Sequence, residues 1–303
     1  MLSNRGSESE PLGLKVLKYY ARCFPLEKGK QRVISLLWRP LSFGRYKHTV
    51  NLHKSGISLR CDITQMLQRH LYFWGGYEPE YCRHWTRLAK GSQVIFDVGA
   101  NLGLYSLLAA ESNPAAQIHA FEPTPEIAAR LQTNLEFNGI DCVKVNMAGV
   151  GSHSGEAILR ECRGTYNTND GMNFVIDSLI PIQESDRLVP LVTLDDYCEE
   201  NGLDRIDLIK IDIEGGEYAA LLGARHLLQT QRIGCLFIEM AEWAAERSRH
   251  STAEIMELLA GNGYDLHRAS SRGLAPIRSE PLRDGENAIA FASNFRFADQ
   301  RSF

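Results

Sequence analysis

No apolar run among the 303 residues approaches the roughly 18 positions that a membrane-spanning helix needs, and the first residues lack the apolar core of a signal peptide. Seven cysteines are spread over positions 23, 61, 82, 142, 162, 198 and 235, an odd number with no C-x-x-C pair. That usage fits reduced thiols better than a disulfide framework or a zinc site, so the expected compartment is the cytoplasm. There is no excess of positive charge: the net charge of −4 argues against general nucleic-acid binding. No repeat of 20 to 50 residues is apparent, which excludes a solenoid. The dinucleotide fingerprint G-x-G-x-x-G is missing at the place where a strand meets a glycine turn.

What is present is a hydrophobic content of 44%, enough to bury a full core in a chain of this length. The chain is organised around Val94 to Ala110, VIFDVGANLGLYSLLAA. Val94, Ile95 and Phe96 are β-formers, Asp97 to Gly103 is punctuated by glycine, and Leu104 onward consists of helix formers. A buried strand, a tight turn and a helix are the parts of a nucleotide-binding device. Gly99 and Gly103 let a ligand approach the backbone, and the helix start offers unpaired N–H groups. The turn reads Gly99-Ala100-Asn101-Leu102-Gly103. Asp97 before it suits a cationic or hydroxyl-bearing ligand and disfavours a phosphate. A second acid, Glu122, ends the next strand-like run, at about the separation expected of a ribose-binding acid in a doubly wound fold. Together these residues point to an adenosyl ligand held by its ribose.

Strands then alternate with helices. Gln117 to Glu122 and Cys142 to Asn146 read as strands around a helix from Pro125 to Asn138, which Gly139 ends. Gly155 to Pro190 is loosely patterned, and Thr165 to Asn173 is a polar loop that could lie over a site. Thr193 precedes a short capped helix. Ile206 to Ile211 and Ile233 to Ile238 are buried strands separated by Asp212-Ile-Glu214-Gly-Gly-Glu217 and a helix from Tyr218 to Leu228. After a helix from Thr252 to Asn262, Tyr264 to Arg268 and Ala288 to Ala292 are strand candidates joined by a long polar loop. The alternation predicts a parallel α/β sheet with an antiparallel edge.

DVGANLGLYSLLAA, AFEPTPEIAARLQTNLEFNG and VTLDDYCEENGLDRIDLIKIDIEGGEYAALLGARHLL resemble the FkbM family of S-adenosylmethionine-dependent methyltransferases over roughly residues 94 to 240. DIEGGE with VTLDDY upstream is more specific than the glycine turn. The resemblance implies a Rossmann-like, seven-stranded class I methyltransferase sheet at 91–295, with an N-terminal helical and hairpin extension at 1–90. It also implies S-adenosyl-L-methionine as cofactor and a small-molecule or glycan hydroxyl as acceptor: a sugar, glycolipid or polyketide-like molecule. Asn146 and Ala148 would lie near the adenine, beside the cofactor residues Asp97, Gly99, Asn101, Gly103 and Glu122. Nitrogen as the acceptor atom stays open, as do the oligomeric state and the pathway.

Asp97, Glu122, Asp212, Glu214 and Glu239 all fall at or just after strand ends, where an open α/β sheet binds its ligands. Five acids on one rim repel unless something offsets them. A sulfonium, ribose hydroxyls or a metal would do so, and the sequence favours no metal, since no histidine has ligand spacing among the acids. Methyl transfer to an alcohol needs a group that takes the proton as attack proceeds. Asp212 is the first choice, Glu239 the second, and Glu214 would orient base or acceptor. The plainer readings are a turn-forming Asp212, a Glu214 that supports the next helix start, and His70 and His153 as ordinary histidines. The rivals in function are a nicotinamide-dependent dehydrogenase and a non-catalytic adenosyl-binding module.

Before residue 60 the chain carries no such resemblance. From Leu12 to Lys47 it has Lys15, Lys18, Arg22, Lys28, Lys30, Arg32, Arg39, Arg45 and Lys47 against Glu27. Leu14, Leu17, Tyr20 and Ala21, then Val33, Ile34, Leu37 and Trp38, recur at helical spacing. Two amphipathic helices follow from this, as a packing extension or as a basic face for an anionic surface or substrate. Residues 50 to 63 suggest a hairpin. Tyr72, Phe73 and Trp74 read as core, and Tyr77 and Glu78 as part of a segment that could cover the cofactor.

Overall fold

The computed structural model describes residues 10–24, 29–44, 46–53, 55–160, 173–176, 186–246, 249–270, 273–277 and 286–295. Described residues up to Tyr77 form one compact unit and those from Glu78 onward a second.

In the first unit, helices α1 (Leu12–Cys23) and α2 (Lys30–Ser42) precede an antiparallel hairpin, β1 (Lys47–Asn51) with β2 (Ser58–Asp62), and helix α3 (Met66–Trp74). Its core contains Leu14, Leu17, Ala21, Ile34, Trp38, Leu59, Tyr72 and Phe73, so the helical spacing is read correctly, except that Leu37 is 43% exposed. Much of the expected basic face is spent on internal bonds. Lys18 pairs with Glu10 at 2.6 Å, Arg22 donates to the carbonyls of Tyr72 and Phe73, and buried Lys30 donates to Ala21 O at 3.0 Å. Lys15, Arg32, Arg39 and Lys47 stay exposed. Lys28 and Arg45 lie outside the described residues. His70 stacks on Trp74 with ring centroids 4.6 Å apart, and Tyr77 meets His70 edge-on.

The second unit begins with α4 (Pro79–Ala89), followed by β3 (Val94–Val98), α5 (Leu104–Ser112), β4 (Gln117–Phe121), α6 (Pro125–Phe137) and β5 (Val143–Asn146). Next come the short strands β6 (Gly149–Val150), β7 (Gly155–Arg160), β8 (Phe174–Ile176) and β9 (Arg187–Val192). They are followed by α7 (Leu194–Glu200), β10 (Ile206–Ile211), α8 (Glu217–Leu222), α9 (Arg225–Gln229), β11 (Ile233–Met240) and α10 (Glu242–Ala245). The chain continues with α11 (Thr252–Gly261), β12 (Tyr264–Ser270), β13 (Gly273–Pro276) and β14 (Glu286–Ala292).

The main sheet runs β13-β12-β14-β11-β10-β3-β4-β5. From β5 to β11 the neighbours are parallel, and β14 enters antiparallel between β11 and β12. This is the α/β methyltransferase sheet of the sequence reading, with β13 added at one edge inside what reads as a polar loop. β3, β10 and β11 are buried on both faces because helices cover both sides. Phe96, Val98, Ile209, Ile211, Leu236 and Ile238 pack on one side with α7, α8, α9 and α11. On the other side Trp85 of α4 meets Phe237 edge-on at 5.4 Å and donates its indole N–H to Tyr105 O.

The loosely patterned stretch before α7 carries structure that its sequence does not announce: β6, β9, β7 and β8 form a second sheet. The polar loop at 165–173 lies outside the described residues apart from Asn173. The helix expected from Tyr218 to Leu228 is two helices. A Cβ at Gly223 would stand 2.0 Å from Gly151 O, and Asp195 caps the second segment by accepting from the amides of His226 and Leu227. Thr193 caps α7, its hydroxyl accepting from Asp196 N at 2.9 Å.

Candidate active site

The site is built at the carboxyl ends of β3, β4 and β10. Gly99 has φ +80, and a Cβ there would lie 1.9 Å from Asp212 O, so the glycine turn is pressed against the end of β10. Gly99 N and Ala100 N both donate to Phe121 O at 3.0 Å, which ties the turn to β4 as well. Asn101 also takes a left-handed backbone, φ +49, and its N–H donates to Glu122 Oε2 at 3.1 Å. The other Glu122 oxygen accepts from Thr124 N at 2.9 Å. Glu122 is buried, and burial pushes its carboxyl up to about 7 against the pull of these hydrogen bonds, with Asp97 adding to the rise.

A groove opens here, walled by Gly99, Asn101, Glu122, Ala148, Asp212 and Glu214 among others. Asp97, Gly103 and Asn146 are not part of that wall. The Asp97 carboxylate is buried and accepts from Ser106 N at 2.9 Å and Ser106 Oγ at 2.6 Å, so it anchors α5 to β3. Gly103 is the N-cap of α5. The Asn146 amide donates to Ala120 O, and its oxygen accepts from Tyr197 OH at 3.0 Å. His153 is exposed in the turn after β6.

The rim acids are offset by a cation of the chain itself. Lys210, inside β10 and 4% exposed at its side chain, donates from Nζ to Asp212 Oδ2 at 2.5 Å. Burial alone would depress this ammonium, but Asp212, Asp97 and Glu78 more than reverse that, and it stays charged. Glu78 enters from the start of α4, where it accepts from Tyr105 OH at 2.6 Å and from Asn287 Nδ2 at 2.8 Å. Glu217 pins the turn after β10, with Oε1 accepting from Ile213 N and Oε2 from Gly215 N. Glu214 stands in that turn with φ +59 and reaches the groove wall. Glu239, near the end of β11, is not on the wall. Its carboxyl is pushed up to about 10 by burial and by Asp212, Glu214 and Glu217, so it keeps its proton at neutral pH. No group of His, Cys, Asp and Glu suited to hold a metal ion occurs among the described residues.

Sequence reasoning misses Lys210, Glu217 and Asn287, and does not give Glu78 its place at Lys210. The available signal was Lys210 itself, a charge inside the apolar strand IDLIKI, where burial demands counter-charges.

Residues 97–266, more than half of the chain, match the methyltransferase FkbM domain. The chain is 28% identical over 216 residues to the 31-O-demethyl-FK506 methyltransferase FkbM of Streptomyces tacrolimicus, covering 61% of this chain and 77% of that protein. Over 227 residues it is 33% identical to the methyltransferase sdnD of Sordaria araneosa, covering 63% and 82%. The 2-O-methyltransferase NoeI of Sinorhizobium fredii is 26% identical over 196 residues, covering 62% and 78%. The match begins at Asp97 and runs through both halves of the groove, from the glycine turn to the carboxylates after β10, and it sets aside the nicotinamide reading. The chain belongs to the FkbM family of S-adenosylmethionine-dependent methyltransferases.

Proposed function

We propose that the protein methylates a hydroxyl oxygen of a sugar, glycolipid or polyketide-like small molecule. The observation that carries this reading is Asp212: its carboxylate is held by a buried ammonium at the groove wall, and its backbone carbonyl lies against the glycine turn. Two of the relatives are named for transfer to oxygen, at a 31-O and a 2-O position, which supports the same atom here.

The residues present fit the cofactor. Glu122 has both oxygens fixed by backbone amides at the end of β4 and keeps lone pairs for a ribose diol. Gly99, Asn101 and Ala148 would line the nucleoside, while Asp97 and Gly103 shape the turn from behind. When bound, S-adenosylmethionine supplies an electrophilic methyl group on a sulfonium centre.

The chain's own task is to place a hydroxyl against that methyl and to remove its proton. Positioning supplies much of the rate in such a displacement. Asp212 accepts the hydroxyl proton as attack proceeds. Lys210 keeps the Asp212 carboxylate in one orientation, with Asp97 and Glu78 as its remaining counter-charges when Asp212 is neutralised. Glu214, on the same wall, orients the acceptor.

The test is transfer of labelled methyl to hydroxyl and amine acceptors, with wild type and Asp212→Asn. The expected result is transfer to hydroxyls, with kcat lowered about 10²- to 10⁴-fold in the variant and S-adenosylhomocysteine affinity changed little. Transfer to amines alone overturns oxygen as the acceptor atom, and wild-type kcat in the variant removes Asp212 from the mechanism.

A further inference from the structure

A second set of polar groups lies on the α4 side of the sheet, off the groove wall. Asn287 of β14 stands directly opposite Glu239 of β11 in the antiparallel register. Asn287 is 4% exposed, its Nδ2 donates to Glu78 Oε1 at 2.8 Å, and its carbonyl accepts from Tyr81 OH at 2.5 Å. Its Oδ1 is nonetheless buried with no hydrogen-bond partner among the described residues, and so is Glu239 Oε2. Buried polar atoms are nearly always satisfied. Two unmet ones on facing residues, beside the carboxylate proposed as base, mark a place where a polar ligand completes the hydrogen bonding.

Glu78 shows the same construction. It takes a left-handed backbone, φ +43, at the start of α4 and aims its carboxylate at Asn287, Tyr105 and Lys210. Backbone strain of this kind persists where surrounding contacts enforce it, and it clusters at functional sites.

We infer that Asn287 and Glu239, with Glu78 behind them, form the acceptor subsite, and that it takes a neutral polyhydroxyl molecule in preference to its carboxylated or phosphorylated counterpart. This rests on the O-methyltransferase reading. A hydroxyl is both donor and acceptor, so it can donate to Asn287 Oδ1 while meeting the Glu239 carboxyl. Charge narrows the class further. Among the described residues, Lys210 is the cation that acts on Glu78, Asp97 and Glu239, and it is already shared with Asp212. An anionic acceptor would add negative charge to a carboxylate-rich, largely buried site, which is costly without a further cation.

The experiment uses the full chain and labelled S-adenosylmethionine with matched acceptors: methyl hexosides, the corresponding uronates and the corresponding 6-phosphates, with alkylamines as control. The expected result is transfer to neutral hexosides, with kcat/KM at least about tenfold above the acidic partners. Asn287→Ala should raise acceptor KM about tenfold or more, with kcat less affected and S-adenosylhomocysteine affinity within about twofold. Asn287→Ser serves as second variant and should give a smaller rise, since its hydroxyl restores an acceptor. A purely structural Asn287 would lower stability without moving KM relative to cofactor binding. Equal or better transfer to uronates or phosphates, no transfer to any neutral hexoside, or an unchanged KM in both variants overturns the subsite. Transfer to amines alone overturns the underlying reading instead.

Discussion

The Lys210 ammonium meets the Asp212 carboxylate at 2.5 Å from two positions earlier in the chain, and the same ammonium is drawn by Asp97 on β3 and Glu78 at the start of α4. One buried cation thus holds three elements of the site together. Lys210→Met leaves these carboxylates without it. Breaking a buried ion pair by removing one partner costs about 3–5 kcal/mol, so the variant should show that loss in denaturant unfolding. Adding Asp97→Asn to Lys210→Met should recover part of it, because one uncompensated charge is gone.

Gly99 and Asp212 are in backbone contact. Gly99→Ala needs a positive φ and places its Cβ on Asp212 O, so destabilisation of about 2–4 kcal/mol is expected. Because the obstructing atom belongs to the proposed base, kcat should fall as well. Gly139→Ala is the control: φ is +66 but nothing lies within 4 Å of the added Cβ. It should cost about 1 kcal/mol and leave kcat unaffected. Thermal unfolding and initial rates separate the two.

Glu122 titrates near neutrality, at about 7 in the folded protein, with Asp97 the neighbouring acid. A carboxylate accepts from ribose hydroxyls better than a carboxylic acid does, so S-adenosylhomocysteine affinity should rise between pH 6 and pH 8. Glu122→Gln should bind more weakly at pH 8 and show a flatter profile. Calorimetry at several pH values checks both, together with the proton released on binding.

Glu239 makes a matching statement about stability. Its folded carboxyl, facing Asp212, Glu214, Glu217 and Lys210, holds a proton up to about pH 10, against an ordinary value of 4.5. The folded state therefore binds more protons than the unfolded one across that interval, and stability falls as pH rises through it. Glu239→Gln removes this contribution. The melting temperature of the variant relative to wild type should rise steadily from pH 5 to pH 9, and a constant difference would contradict the assignment.

The sequence shows the scaffold of the site because that scaffold is local. A β-rich apolar run followed by glycines and helix formers reads as β3, turn and α5, and the buried runs of β10 and β11 read directly from their apolar residues. Gly99 and Glu122 are legible for the same reason. The resemblance of the DIEGGE segment brings Asp212 and Glu214 with it. Patterns that need a partner are less legible. β13 and the sheet of β6 to β9 are short, and each exists only by pairing with a neighbour.

By itself the sequence determined an α/β sheet, a glycine turn for an adenosyl ligand and a ring of acids at the strand ends, since periodicity and turn chemistry are written in consecutive residues. Only the tertiary structure decided which acids face the groove and what neutralises them. The order β14-β11-β10-β3 brings positions 287, 239, 210 and 97 onto one face, and α4 adds Glu78. It turns Asp97 inward to Ser106, leaves Asp212 on the wall, held from behind by buried Lys210, and sets Asn287 opposite Glu239. Contacts between residues so far apart in the chain arise from sheet register and helix packing, which no local spacing records.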